Sequence, residues 1–202
     1  MMQALLARAL ALPKGARQVI AIAGPPASGK STVAAELAAQ ITAKGRLAAV
    51  VPMDGFHLDN RILDRRGLRS RKGAPETFDL RGFRGLVTEL TAGGDVIFPI
   101  FDRNLDLAIA GAGDVPDACD LVVIEGNYLL FDASGWRDLV PHWALSVYLD
   151  VPEATLRARL TERWIAQGLD AAAALARAEG NDLPNAARVR NNLLPADIVL
   201  AG

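Results

Sequence analysis

Short apolar runs alternate along this chain with longer stretches whose apolar positions recur at helical spacing. Residues 17–23, RQVIAIA, form a run bounded by glycine and proline, which predicts a strand buried on both faces. Between Lys30 and Ala43 the apolar residues Val33, Leu37 and Ile41 fall on one helical face, and Gly45 reads as the stop. A second strand is expected in RLAAVVPMD. It runs into a polar, arginine-rich stretch over about 54–78 that has no dominant period and reads as a substrate-side loop region. Asp79 can cap a helix over about 80–92 closed by Gly93 and Gly94, after which DVIFPIFD reads as strand and turn. LVVIE at 121–125 and ALSVYLD at 144–150 are further strands. Asp150, followed by Pro152 and Glu153, marks a capped helix start continuing through Arg163. The alanine-rich 170–178 segment reads as helix, and ADIVL near the end can close a sheet edge.

Strands alternating with helices in this way make an α/β fold with a parallel sheet and right-handed crossovers the expected architecture. Composition adds scale: 202 residues with 51% hydrophobic content suffice for one domain with a real core. Charge removes two partner classes. Lys and Arg number 22 against 23 Asp and Glu, a net charge of −1, so nothing argues for nucleic-acid or anionic-membrane binding, and a small-molecule partner is expected. Cys119 is the only cysteine, which precludes an intrachain disulfide and fits a reducing cytoplasm. The opening MMQALLARALALPKGARQ has about ten apolar positions before Pro13, too few to span a bilayer, and reads as an N-terminal helix.

Candidate chemistry begins where the first strand meets the first long helix. Gly24, Gly29, Lys30 and Ser31 in GPPASGKST fit G-x-x-x-x-G-K-[ST]. Amides from Ala27 and Ser28 through Thr32 can turn inward around a phosphate, aided by the positive end of the following helix. Glycines at 24 and 29 permit the turn and a close approach. Lys30 would reach the β and γ phosphates and the Ser31 hydroxyl would ligate Mg²⁺, so ATP and Mg²⁺ are the expected cofactors. Asp54 and Glu125 each end an apolar strand, where open α/β sheets place their ligands. A carboxylate at 54 can take the proton of an attacking hydroxyl, and one at 125 can support the metal or its waters. The alternatives are a loop aspartate capping a turn with Gly55 and an acid that merely ends a strand.

These segments together resemble the phosphoribulokinase/uridine kinase-like P-loop kinases, a group that includes type I pantothenate kinases and small kinases described as nucleoside or fructose-transport kinases. GPPASGKST is similar to their phosphate loop, MDGFHLDN to the segment after their second strand, RKGAPETFD to their substrate-side loop, PIFD to a later proline-aromatic segment, and VVIEGNYLL to their acidic strand end. The resemblance runs in consistent order from about 17 to 200. It implies a three-layer P-loop fold with a five-stranded parallel sheet flanked by helices, and an arginine-bearing lid at about 155–185. It puts Asp54 on the catalytic base, Glu125 on the acidic residue near the metal, and Arg159 and Arg163 on the lid arginines that meet the transferring phosphate, a solvated helix face being the alternative for the two arginines. Related kinases are often dimers, so a homodimer is an expectation.

His57 and Arg103 are candidate substrate contacts, as is Tyr128, which with Phe56 and Phe101 could wall the acceptor pocket; core packing is the alternative for the aromatics. The basic run RRGLRSRK, with Arg71 and Lys72, could read an acidic or phosphorylated substrate or be exposed loop charge. His142 has no metal-ligand spacing to His57 or Cys119. Asn181, Asp182 and Asn185 match a segment after the lid without assigned roles. The function expected is an ATP- and Mg²⁺-dependent transfer of phosphoryl to a hydroxyl of a small metabolite. A GTPase-like switch would want a guanine-reading N-K-x-D, which is missing, and Glu125 is followed directly by GNYLL. A silent nucleotide-binding subunit would be expected to lose the carboxylates this chain keeps.

Overall fold

The computed structural model describes residues 2–202. Its centre is a five-stranded sheet, every neighbour parallel, built from β1 (Gln18–Ala23), β2 (Ala48–Pro52), β5 (Leu121–Gly126), β6 (Leu145–Asp150) and β7 (Ile198–Ala201) in the order β2-β5-β1-β6-β7. The three inner strands are largely apolar because side chains on both faces are buried. Along β1, Val19, Ala21 and Ala23 join one core while Ile20 and Ile22 join the other, the period-two alternation of a strand between two layers. One layer holds α1 (Met2–Leu10) and α2 (Lys30–Ala43); the other holds α4 (Leu80–Ala92). In α2 the buried apolar residues are Ala34, Leu37, Ala38 and Ile41, with Val33 at the margin, so small side chains as well as large ones make its contact face.

Several expected boundaries hold. Asp79 caps α4, its carboxylate accepting from the Gly82 amide at 2.9 Å, and β7 closes the sheet edge. Others change. Helix α5 (Glu153–Ala166) starts behind Pro152 with no side-chain cap, so Asp150 remains strand and does not cap it. The 54–78 stretch is partly ordered as a short turn, Met53–Phe56, followed by α3 (Asn60–Arg65). The segment expected as strand and turn is one arm of a separate antiparallel hairpin, β3 (Val96–Asp102) with β4 (Leu107–Val115). LAIAGAGDV hides its strand because most of its residues are exposed and small, leaving no alternation to read.

That hairpin lies against the turn carrying Asp54. A Cβ at Gly55 would collide with the Pro99 carbonyl oxygen, so glycine is what lets β3 approach there. Beyond α5, the chain turns through α6 (Ala171–Arg177), a widened π-helical turn (Ala178–Asp182) and α7 (Leu183–Asn191). This is the expected lid region. Among the described residues no helix is long and apolar enough to cross a membrane.

Candidate active site

Sheet register brings the site together. Glu125 is flanked by Ile22 on β1 and Pro52 on β2, so the ends of three strands place the phosphate loop, Glu125 and Asp54 side by side. Ala27 (φ 61°) and Gly29 (φ 94°) are both left-handed, which folds the loop into a concave run of amides. Helix α2 begins at Lys30 with no side chain capping its first turn, so its leading N–H groups are available to an anion.

Lys30 is buried and its Nζ donates to the Pro25 carbonyl at 3.0 Å. Burial pushes this ammonium below its ordinary value, opposed by Glu125 and Asp54. Glu125 is buried too, accepts from the Ser31 hydroxyl at 2.7 Å, and is pushed up by burial against the pull of Lys30. Arg163, on α5, is likewise lowered by burial despite Asp182 at 3.5 Å, and its Nε has no hydrogen-bond partner among the described residues. Cations short of anions and a carboxylate short of a cation share one wall. A polyphosphate with a divalent ion would relieve all three.

Two cavities meet here. One, about 260 Å³, is bounded by the phosphate loop, Ser31, Thr32 and Glu125; the other, about 330 Å³, extends toward His57, Lys72, Phe101 and Trp164. Asp54, Arg103, Asn127 and Arg163 line both. Arg103, just past β3, binds Asp54 through Nη2 to Oδ2 at 2.8 Å and so orients the carboxylate. The Nδ1 of His57 donates to the Asp54 carbonyl at 2.7 Å, leaving Nε2 as the acceptor nitrogen. Its ring packs on Phe78 and Phe101, and burial holds the imidazole below its ordinary value, so it is neutral. Arg159 is exposed, with Nη1 3.4 Å from the Ala27 carbonyl, at the rim of the phosphate loop.

Tyr128 does not wall the cavity. It is fully buried among Phe78, Phe131 and Trp136, and its hydroxyl donates to the Gly73 carbonyl at 2.6 Å, anchoring the substrate-side loop. Phe56 is core as well, whereas Phe101 does line the larger cavity. Arg71 pairs with Glu76, so only part of the basic run faces the site. Asn181 and Asn185 have a visible role: Asn181 donates to the Lys72 carbonyl at 2.9 Å and accepts from Asn185 at 3.4 Å, fastening the lid to the substrate-side loop. Asp182 accepts from the Trp164 indole at 2.7 Å. Arg69 belongs to the basic run marked in the sequence, whereas Asn127, Trp164 and Arg177 were not singled out. Asn127 had a signal, its place two residues after Glu125 at a strand end; the other two lie on the lid with no local pattern to mark them.

The "Phosphoribulokinase / Uridine kinase family" model matches residues 19–178. This chain belongs to that family. Among curated relatives of this kinase family, "Uncharacterized protein YggC" of Escherichia coli K12 is 36% identical over 186 residues, covering 91% of this chain and 77% of that protein. A "Putative uridine kinase" of Schizosaccharomyces pombe is 34% identical over 194 residues, covering 91% of this chain and 83% of its own. Among solved structures, a "putative fructose transport system kinase" from Silicibacter sp. TM1040 superposes with a TM-score of 0.96 at 52% identity, covering 99% of this chain and 98% of that one.

Proposed function

We propose that this kinase transfers the γ-phosphoryl group of ATP, with Mg²⁺, to a hydroxyl of a small metabolite: a sugar such as fructose, a nucleoside or a pantothenate-like alcohol. The observation that carries the proposal is the shared wall. Asp54, Arg103, Asn127 and Arg163 stand between a cavity built for phosphates and a second cavity of small-molecule size.

The donor set fits a hard cation held partly by its substrate. Ser31 and Glu125 offer oxygen ligands, and no cluster of three His, Cys, Asp or Glu side chains among the described residues forms a self-sufficient metal cage. Mg²⁺ is ordinarily bound in this way, by one or two protein oxygens together with phosphates and water. Ser31 and Glu125 would hold it, and when bound it supplies neutralising charge at the β and γ phosphates. Lys30 and the loop amides would grip those phosphates. Asp54 would hold the acceptor hydroxyl in line and take its proton as the new O–P bond forms and the bond to the β-bridging oxygen breaks, releasing ADP. Arg163 and Arg103 would offset the charge spread over the transferring group. Exclusion of water by Trp164 and the lid would favour transfer over hydrolysis.

The names of two relatives, a putative uridine kinase and a putative fructose transport system kinase, support the nucleoside and sugar ends of this range without choosing between them. A coupled ADP-release screen against nucleosides, pantothenate, fructose and other sugars, with and without Mg²⁺, tests the reading. Acceptor-dependent, Mg²⁺-dependent ADP release is expected. Slow ATP hydrolysis unaffected by every acceptor, or transfer only onto the phosphate of a nucleoside monophosphate, would overturn it.

A further inference from the structure

The acceptor cavity carries more positive charge than a neutral sugar or nucleoside requires. Arg69, Lys72, Arg103, Arg163 and Arg177 line it, against the carboxylates Asp54, Asp106 and Asp182. Five cations against three anions leave a local surplus of two, in a chain whose net charge is −1. Neutral His57 adds nothing to either side.

The nucleotide accounts for only part of this surplus. Arg103 and Arg163 line both cavities, so they face the transferring phosphate. Lys72 is matched inside the protein: its side chain is 10% exposed and its Nζ lies 2.8 Å from both Asp106 Oδ1 and Asn60 Oδ1. Arg69 and Arg177 remain, and both line the acceptor cavity alone. Arg69 comes from the substrate-side loop and meets Asp64 at 3.2 Å and Asp106 at 3.8 Å, the latter already engaged by Lys72 and Asn60. Arg177 ends α6 and meets no carboxylate among the described residues. Its Nη1 donates to the Ser70 carbonyl at 2.8 Å and its guanidinium lies 5.1 Å over the Trp164 ring, leaving most of its five donors without a protein partner. A guanidinium stacked on an aromatic face and held by one carbonyl is fixed in position with donors to spare, the arrangement that suits a phosphate or carboxylate.

We infer that the acceptor is an alcohol that also bears an anionic group, a phosphate monoester or a carboxylate, held by Arg69 and Arg177. This rests on the kinase reading above and narrows it. An anion at that point would tie the substrate-side loop to the lid, adding to the Arg177–Ser70 and Asn181–Lys72 contacts that already join them.

Matched acceptors test the inference in the ADP-release assay: fructose against fructose 1-phosphate and 6-phosphate, glycerol against glycerate, pantothenol against pantothenate. The charged member of a pair should show at least about 100-fold higher kcat/KM, and whether a phosphate ester or a carboxylate leads identifies the group. Arg177→Gln and Arg69→Gln, on separate elements, should each raise the KM of that acceptor roughly tenfold while leaving the KM for ATP within about twofold. A neutral member used equally well or better overturns the inference and leaves the kinase reading intact. Failure to bind ATP or release ADP with any acceptor sinks the kinase reading itself. A binding measurement is independent of the panel. Inorganic phosphate, titrated into protein saturated with Mg²⁺ and a non-hydrolysable ATP analogue so that the γ position is filled, should bind saturably, and Arg177→Gln should weaken it about tenfold. No saturable phosphate binding to the loaded wild-type protein also overturns the inference.

Discussion

From Gly24 to Thr32 the proposed phosphate grip is one continuous segment, whereas the proposed acceptor wall gathers side chains from the 54–78 loop, the β3–β4 hairpin and the lid. The grip owes its shape to backbone: left-handed Ala27 and Gly29, an uncapped helix start, and Lys30 and Glu125 buried beside it. The acceptor wall owes its shape to tertiary contacts between half-exposed charges such as Arg103 with Asp54 and Arg69 with Asp64. Exposed pairs of that kind contribute about 0–1 kcal/mol each. On the proposed reading, phosphate chemistry is therefore built into local backbone structure, while the choice of acceptor rests on contacts that can change without unfolding the sheet.

Substitution at the junction should have the largest effect. Asp54→Asn should lower turnover by about 10²–10⁴-fold, the range for loss of a positioned base, while nucleotide titration shows nearly unchanged ATP affinity. Unchanged turnover would remove Asp54 from the reaction and leave the acceptor wall a binding surface only.

On the grip side, Lys30→Ala removes a charged hydrogen-bond donor to phosphate. ATP affinity should fall roughly 10–100-fold and turnover should fall with it. A loss confined to the acceptor KM would show that the two halves are not divided as the cavities suggest.

Tyr128→Phe separates anchoring from recognition. Losing the hydrogen bond to Gly73 should cost about 1–2 kcal/mol of stability by denaturant titration, and KM for ATP should not move. A shift in acceptor KM with no change in stability would return Tyr128 to the pocket.

The smallest effect is a pH dependence on the acceptor side. The folded-state value of His57 lies below its ordinary 6.5, so on acidification the unfolded chain takes up this proton first. The contribution of His57 to stability is thus intact above 6.5 and is lost as the pH falls from there toward the folded-state value. His57→Gln should flatten that part of the melting-temperature profile. Parallel profiles for the two proteins would contradict the burial of a neutral imidazole.

How much could be read in advance follows the same division. The inner strands were legible because sandwiching between two helical layers demands uninterrupted apolar runs, as in LVVIE. Lys30, Ser31, Asp54 and Glu125 were legible because each sits at a strand end or helix start that local pattern marks. Strand β4 was not, since an exposed, glycine- and alanine-rich hairpin arm has no buried face to impose a period. Tyr128 was misplaced for a related reason: the aromatic residue is plain in the sequence, but whether it faces a cavity or the core depends on what packs over it.

By itself, then, the sequence determined the sheet, the phosphate loop and the two carboxylates at its edge, because hydrophobic period and backbone conformation act over a few neighbouring residues. Only the tertiary structure decided that Arg69, Lys72, Arg103, Arg163 and Arg177 would face one cavity. Arg69 and Lys72 share one loop, but Arg103 follows β3, Arg163 lies on α5 and Arg177 ends α6, and nothing local to any of these segments sets its distance from the others. Packing the hairpin and lid over the strand ends is what turns scattered charge into a site.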